Sequence, residues 1–148
     1  MSTPSNPPLL EGAPDDVEDA LVAYFTPMRR SSNTWETGDA LPFTLIYAIS
    51  GTEEPEVGIA DPVVQIDTLV DKSLGPVNAR NEARATHRAM LYLAFYQPLL
   101  NLNGRMFGVD YVKVVESPTW KPFGITTVLR KVGRYQIGLQ YVPMDGLP

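Results

Sequence analysis

The amino-acid sequence predicts an α+β domain, with an antiparallel or mixed β-sheet of about four to five strands packed against one long helix and a short N-terminal helix beside it. Three observations carry this. Residues 76–97, PVNARNEARATHRAMLYLAFYQ, form the one run long and regular enough for a helix of many turns. Segments rich in β-branched and aromatic residues flank it on both sides. A shorter run with apolar residues at three- and four-residue spacing comes before them all.

Residues 1–14 hold four prolines and Gly12, so they read as a flexible tail that lacks the basic start and apolar core of a signal peptide. The domain is expected over 15–142, with 143–148 fraying. Asp15 or Asp16 can cap the first helix, Glu18 and Asp19 suit its positive first turn, and Val17, Ala20, Leu21, Tyr24 and Phe25 make its apolar stripe up to Pro27. Residues 28–42 are polar and turn-rich, a surface loop whose Trp35 packs back on the core. Residues 43–49, FTLIYAI, form a strand apolar on both faces, expected to be central in the sheet. The acidic connector 50–62 follows. Residues 63–71, VVQIDTLVD, alternate as a half-buried strand with Val64, Ile66, Thr68 and Val70 on one face.

Pro76 suits the first turn of the long helix and Pro98 closes it. Ala79, Ala83, Thr86, His87, Met90, Leu93 and Ala94 fall on one broad face, where small residues let the helix approach a sheet. Arg80, Arg84 and Arg88 fall on a second face that Leu91 and Phe95 extend, cationic at one end and apolar at the other. A partner surface has a use for such a face. Beyond it, Asn103-Gly104 signals a turn, 109–116 a strand, 117–124 a connector with two prolines, and 125–132 and 135–142 two extended segments parted by Gly133.

The chain has 148 residues, enough for one domain, and no run of about 18 apolar residues that reads as a membrane span. With no cysteine, disulfides, thiolate metal sites and cysteine nucleophiles are excluded. His87 is the only histidine; a residue anchoring the border of the two helix faces is the reading preferred over a general base, and catalysis is not expected. Glu53, Glu54, Glu56 and Asp61 lack the spacing of a calcium loop and read as a solvated or partner-contacting set, so neither metal nor cofactor is expected. The net charge of −5 is unevenly placed. Residues 1–71 carry two bases against thirteen acids, −11, and residues 72–148 ten bases against four acids, +6. Either the halves mix in space, or the subunit has an acidic and a basic edge that favour head-to-tail association. The overall acidity argues against nucleic-acid binding as a main role.

The stretches DVEDALVAYF at 16–25, LPFTLIYAISG at 41–51, DPVVQIDTLVDKSLGPVNARNEARATHRAMLYL at 61–93 and RYQIGLQYV at 134–142 resemble the tail terminator proteins of long-tailed, siphovirus-type bacteriophages. The likeness lies in the order of elements, and in a strand that ends in an acidic turn before an Ala- and Arg-rich helix. It implies a virion structural protein at the neck or top of the tail, made in the host cytoplasm. It implies a homohexameric ring that caps the tail tube, ends tube polymerisation and docks head-completion proteins, with DNA passing through the lumen and no bond made or broken. On that reading Arg80, Arg84 and Arg88, with Leu91 and Phe95, meet Glu53, Glu54, Glu56 and Asp61 of a neighbouring subunit. Another neck protein, such as a head–tail connector or stopper, is one alternative. A monomeric ligand-binding or enzymatic domain is the other.

Overall fold

The computed structural model of the chain describes residues 14–50, 53–54, 59–60, 62–102 and 105–142. The expected tail at 1–14 falls outside them except for Pro14, and the expected fraying at 143–148 falls outside them as well. The elements are α1 (Pro14–Phe25), β1 (Arg30–Ser32), β2 (Phe43–Ser50), β3 (Glu53–Glu54), β4 (Ile59–Ala60), β5 (Val63–Asp71), α2 (Gly75–Tyr96), β6 (Leu99–Leu102), β7 (Arg105–Trp120) and β8 (Val128–Val142). The α+β class holds, and the strands make one sheet.

Across that sheet the order is β1-β2-β5-β8-β7-β6, with β1 parallel to β2 and the other pairs antiparallel. β4 pairs with Leu139 and Gln140 of β8 beyond the end of β5, and β3 pairs with β4. The strand count thus exceeds the four to five expected. β1, β3 and β4 have two or three residues each, too few to show a period of two, and β6 has only four. In compensation, the two segments expected at 125–132 and 135–142 are one strand, β8, with Gly133 inside it. A Cβ at Gly133 would stand 2.8 Å from the hydroxyl of buried Tyr135, so glycine is there for space.

Both helices cover one face of the sheet. Val17, Leu21 and Phe25 of α1 and Met90 and Leu93 of α2 close a core with Ile46, Val64, Ile66, Phe107, Tyr135, Ile137 and Leu139. Tyr24 of α1 donates to the Ala89 carbonyl of α2 at 2.8 Å. α1 begins at Pro14, so Asp15 and Asp16 lie within it instead of preceding it. α2 runs one residue ahead of the expected span; Asp71 accepts from the Ser73 amide at 2.9 Å in a short 3-10 turn, and Gly75, at φ +86°, opens the helix. Gln97 ends it in the left-handed conformation.

The opposite face is covered by loops. Phe43, Leu69 and Val128 pack there with Trp35, Leu41, Phe123 and Ile125, and Trp35 meets Phe123 edge-on at 5.4 Å, as expected of a loop tryptophan that folds back. β5 is therefore buried on both faces, not half-buried: Asp67 is fully enclosed, accepting from Gln65 Nε2 at 3.0 Å and Arg130 Nη1 at 3.2 Å. Burial pushes the Asp67 carboxyl above the usual carboxylate range. β2, expected to be central, is second from the edge, with only three-residue β1 outside it. Glu18 of α1 accepts from the Ala48 amide at 2.6 Å and so blocks part of that open edge.

The connector expected at 117–124 is a further correction. β7 runs on through Pro118 to Trp120, with register shifts against β8 after Val109, Val114 and Glu116. Proline, which has no amide to donate, is tolerated within such an irregularity.

Arg29 ties the two layers together from inside the segment expected to be surface loop. Its guanidinium is buried and donates to Thr44 Oγ1 of β2 at 3.0 Å, to Thr86 Oγ1 of α2, and to the Glu82 carbonyl at 2.9 Å and carboxylate at 2.7 Å. Thr86 in turn shares a 3.0 Å hydrogen bond with Thr68 of β5. Replacing Arg29 with Ala should cost about 2–3 kcal/mol in urea unfolding, less than a fully buried pair because Glu82 is partly exposed. Arg29→Lys should recover only part of it, since an ammonium lacks the guanidinium fork. A loss below about 0.5 kcal/mol for the alanine variant would show the clamp to be dispensable.

Candidate assembly surface

With Thr86 held by Arg29, and Ala79, Ala83, Met90 and Leu93 buried, the rest of α2 is turned outward. Its inner face is the one expected, save that His87 and Ala94 are only half-buried. His87 Nδ1 lies 2.8 Å from the Tyr135 hydroxyl. Burial depresses the His87 pKa below 6.5 and raises that of Tyr135. The neutral imidazole thus ties helix to sheet at the border where the sequence placed it.

The outward face carries the predicted site residues. Arg80, Arg84 and Arg88 are exposed, and none of them pairs with a described carboxylate. Glu82, the one acid of α2, is engaged by Arg29. Leu91 is exposed and Phe95 is 83% exposed. Tyr92, Tyr96 and Leu99 join them, with Tyr92 and Tyr96 at 4.6 Å between ring centroids and Phe95 and Tyr96 at 5.4 Å. The two tyrosines were missed at the sequence level although a signal was present. Residues 80, 84, 88, 92 and 96 form one i, i+4 row that begins with three arginines and ends in two tyrosines. Gln97 Nε2 donates to the Asp110 carbonyl at 2.6 Å and fastens this end of the helix to β7.

Five large apolar side chains side by side on one helix end and the adjoining strand exceed the scattered exposure of an ordinary surface. Such a patch, bordered by cations with no partner among the described carboxylates, has the anatomy of an apolar centre with a charged rim.

At the other end of α2, Arg80 and Arg84 come together with groups remote in sequence. With Ala83, His87, Pro118 of β7 and Lys131 of β8 they line a pocket of about 200 Å³. Lys131 Nζ stands 4.9 Å over the Trp120 ring. Arg80 also walls a second pocket of about 310 Å³ with Pro76, Trp120 and Leu129. Spacing within one helix reveals nothing of Lys131 or Trp120, which arrive only through the β7–β8 register.

The acidic half of the expected contact is less complete. Glu53 and Glu54 lie in β3, which pairs with β4 against the sheet in place of a free loop, and Glu56 and Asp61 lie outside the described residues. Among the described residues no cluster of His, Asp and Glu could hold a metal ion, and no helix is long and apolar enough to cross a membrane.

The fold and this surface define an α+β domain whose long helix packs on its own sheet with one side and is open on the other. Compared with protein-family models and with curated proteins, the sequence matches none.

His87 makes the stability depend on pH in a definite direction. Its folded pKa is depressed, so the unfolded chain takes the proton first as pH falls. The contribution is complete above pH 6.5 and is lost as pH drops below that toward the folded value. Thermal melts of His87→Gln should therefore decline less steeply than those of the parent chain just below pH 6.5; parallel curves would contradict this.

Proposed function

We propose that the protein is a virion structural protein of a long-tailed bacteriophage, a tail terminator. Copies of the chain assemble into a homohexameric ring that caps the tail tube, ends its polymerisation and offers a docking surface to head-completion proteins. The observation that carries this is the outward face of α2, where Leu91, Tyr92, Phe95, Tyr96 and Leu99 are exposed beside arginines with no described carboxylate partner. The resemblance in element order supports the tail-terminator assignment, and the helix face supports the self-association it requires. The chemistry is binding alone, with no cofactor and no bond made or broken.

In this reading the aromatic end of α2 is the centre of the subunit contact and supplies most of its energy. Arg80, Arg84 and Arg88 meet the acidic surface of a neighbour, for which Glu53, Glu54, Glu56 and Asp61 are the candidates. Each exposed ion pair adds only ~0–1 kcal/mol, whereas burying an aromatic anchor is worth roughly 2 kcal/mol or more. Specificity and orientation then come from charge, and affinity from the aromatic cluster.

Electron microscopy of the chain mixed with tail tubes and with portal-bearing heads tests the assignment. Rings on tube ends are expected, while rings only on heads would move the protein to another neck position. Light scattering tests the contact: the parent chain should have about six times the subunit mass. Phe95→Glu should weaken assembly by roughly 30-fold or more, and Arg88→Glu alone by only a few-fold. Reversing Arg80, Arg84 and Arg88 together to glutamate should abolish the ring, and an unchanged oligomer in that variant would overturn the electrostatic half of the proposal.

A further inference from the structure

Arg80 and Arg84 sit one helical turn apart, and Lys131 of β8 stands across from them in the same pocket. Three cations therefore line one pocket of about 200 Å³, and none has a described carboxylate partner. Glu82, the one acid of α2, is already engaged by Arg29. The lysine is held in place by its stacking over Trp120. Desolvation first, and then the two arginines, push its pKa below the usual lysine value. Like charges gathered in a concave site repel one another, and an anion between them removes that repulsion.

We propose that this pocket binds a doubly charged tetrahedral oxyanion of the phosphate class, with the guanidinium groups of Arg80 and Arg84 and the ammonium of Lys131 as donors. The ligand's charge follows from the count of cations, because a single carboxylate would leave two of the three uncompensated. Guanidinium forks match paired oxygens of such an anion. The net charge of −5 disfavours a long polyanion and leaves a small one as the occupant. The adjoining pocket walled by Pro76, Trp120 and Leu129 shares Arg80, so a phosphate monoester could lodge its organic part there. The source is then either free phosphate or a small phosphate monoester. Arg80 and Arg84 also serve the proposed subunit contact, so a neighbour's carboxylates compete with phosphate here, and the titration is made on the dissociated Phe95→Glu chain as well as on the parent.

Titration calorimetry on the full chain at constant ionic strength tests the proposal, with inorganic phosphate, a 5′-nucleoside monophosphate and acetate as the probes. Phosphate should bind in about the millimolar range or tighter, and acetate roughly tenfold more weakly or not at all. Lys131→Met should weaken phosphate binding roughly tenfold, and Lys131→Arg, which keeps the charge, should retain it. A nucleoside monophosphate that binds more tightly than phosphate and changes Trp120 fluorescence in a Trp35→Phe background assigns the site to monoesters. Equal affinity without that change assigns it to free phosphate. Acetate binding as tightly as phosphate would overturn the proposal in favour of carboxylates from a protein partner. So would phosphate binding that Lys131→Met leaves unchanged.

Discussion

The buried guanidinium of Arg29 is the constraint on which the arrangement of this chain depends. It stands between the sheet, through Thr44, and the long helix, through Thr86 and Glu82, while Thr86 reaches on to Thr68. A helix with small residues on its inner side can slide or roll on a sheet, because alanines give little shape to grip. Hydrogen bonds to a cation held in low dielectric remove that freedom, since the guanidinium, if its partners moved away, would stay buried without them. The His87–Tyr135 bond, made by the residue next to Thr86, sets the rotation again. Two polar fixings thus decide which side of α2 faces water, and that decision creates the outward row of arginines and tyrosines.

The second consequence is electrostatic. By engaging Glu82, Arg29 leaves the outward side of α2 without its one acid, and among the described residues no carboxylate pairs with Arg80, Arg84 or Arg88. The long β7–β8 ribbon adds Lys131 to the first two of these arginines. β7, through its register shifts, brings Pro118 to the pocket they line and Trp120 to the adjoining one that Arg80 also walls. The two ends of the helix thereby acquire different chemistry: a confined cationic pocket at one, an open aromatic surface at the other. Charge at an exposed rim orients a partner more than it holds it, so the aromatic end is the part suited to hold.

The class of fold was legible in the sequence, and the reason is length. Periodicity over 22 residues identified α2, and the apolar patterns of β2 and β5 identified both strands. What escaped was short or non-local. β1, β3 and β4 are too brief to have a period, and β7 continues through a proline that sequence rules read as a break. Asp67 looked like the polar side of a half-buried strand because nothing in VVQIDTLVD foretells that Tyr47 and Arg130 close over it. The same asymmetry holds at the surface. Arg80, Arg84, Arg88, Leu91 and Phe95 could be grouped by helical geometry alone, whereas Arg29, Lys131 and Trp120 depend on contacts between residues far apart in the chain.

The central claim is that the outward face of α2 is buried between copies of the chain. Hydroxyl-radical footprinting of assembled and dissociated protein measures this directly, because tyrosine and phenylalanine report their own exposure. The account predicts that Tyr92, Phe95 and Tyr96 lose most of their labelling on assembly, while Trp120, on the far end of the helix, keeps its own. An oligomer in which those three rings are labelled as strongly as in the free subunit would contradict it.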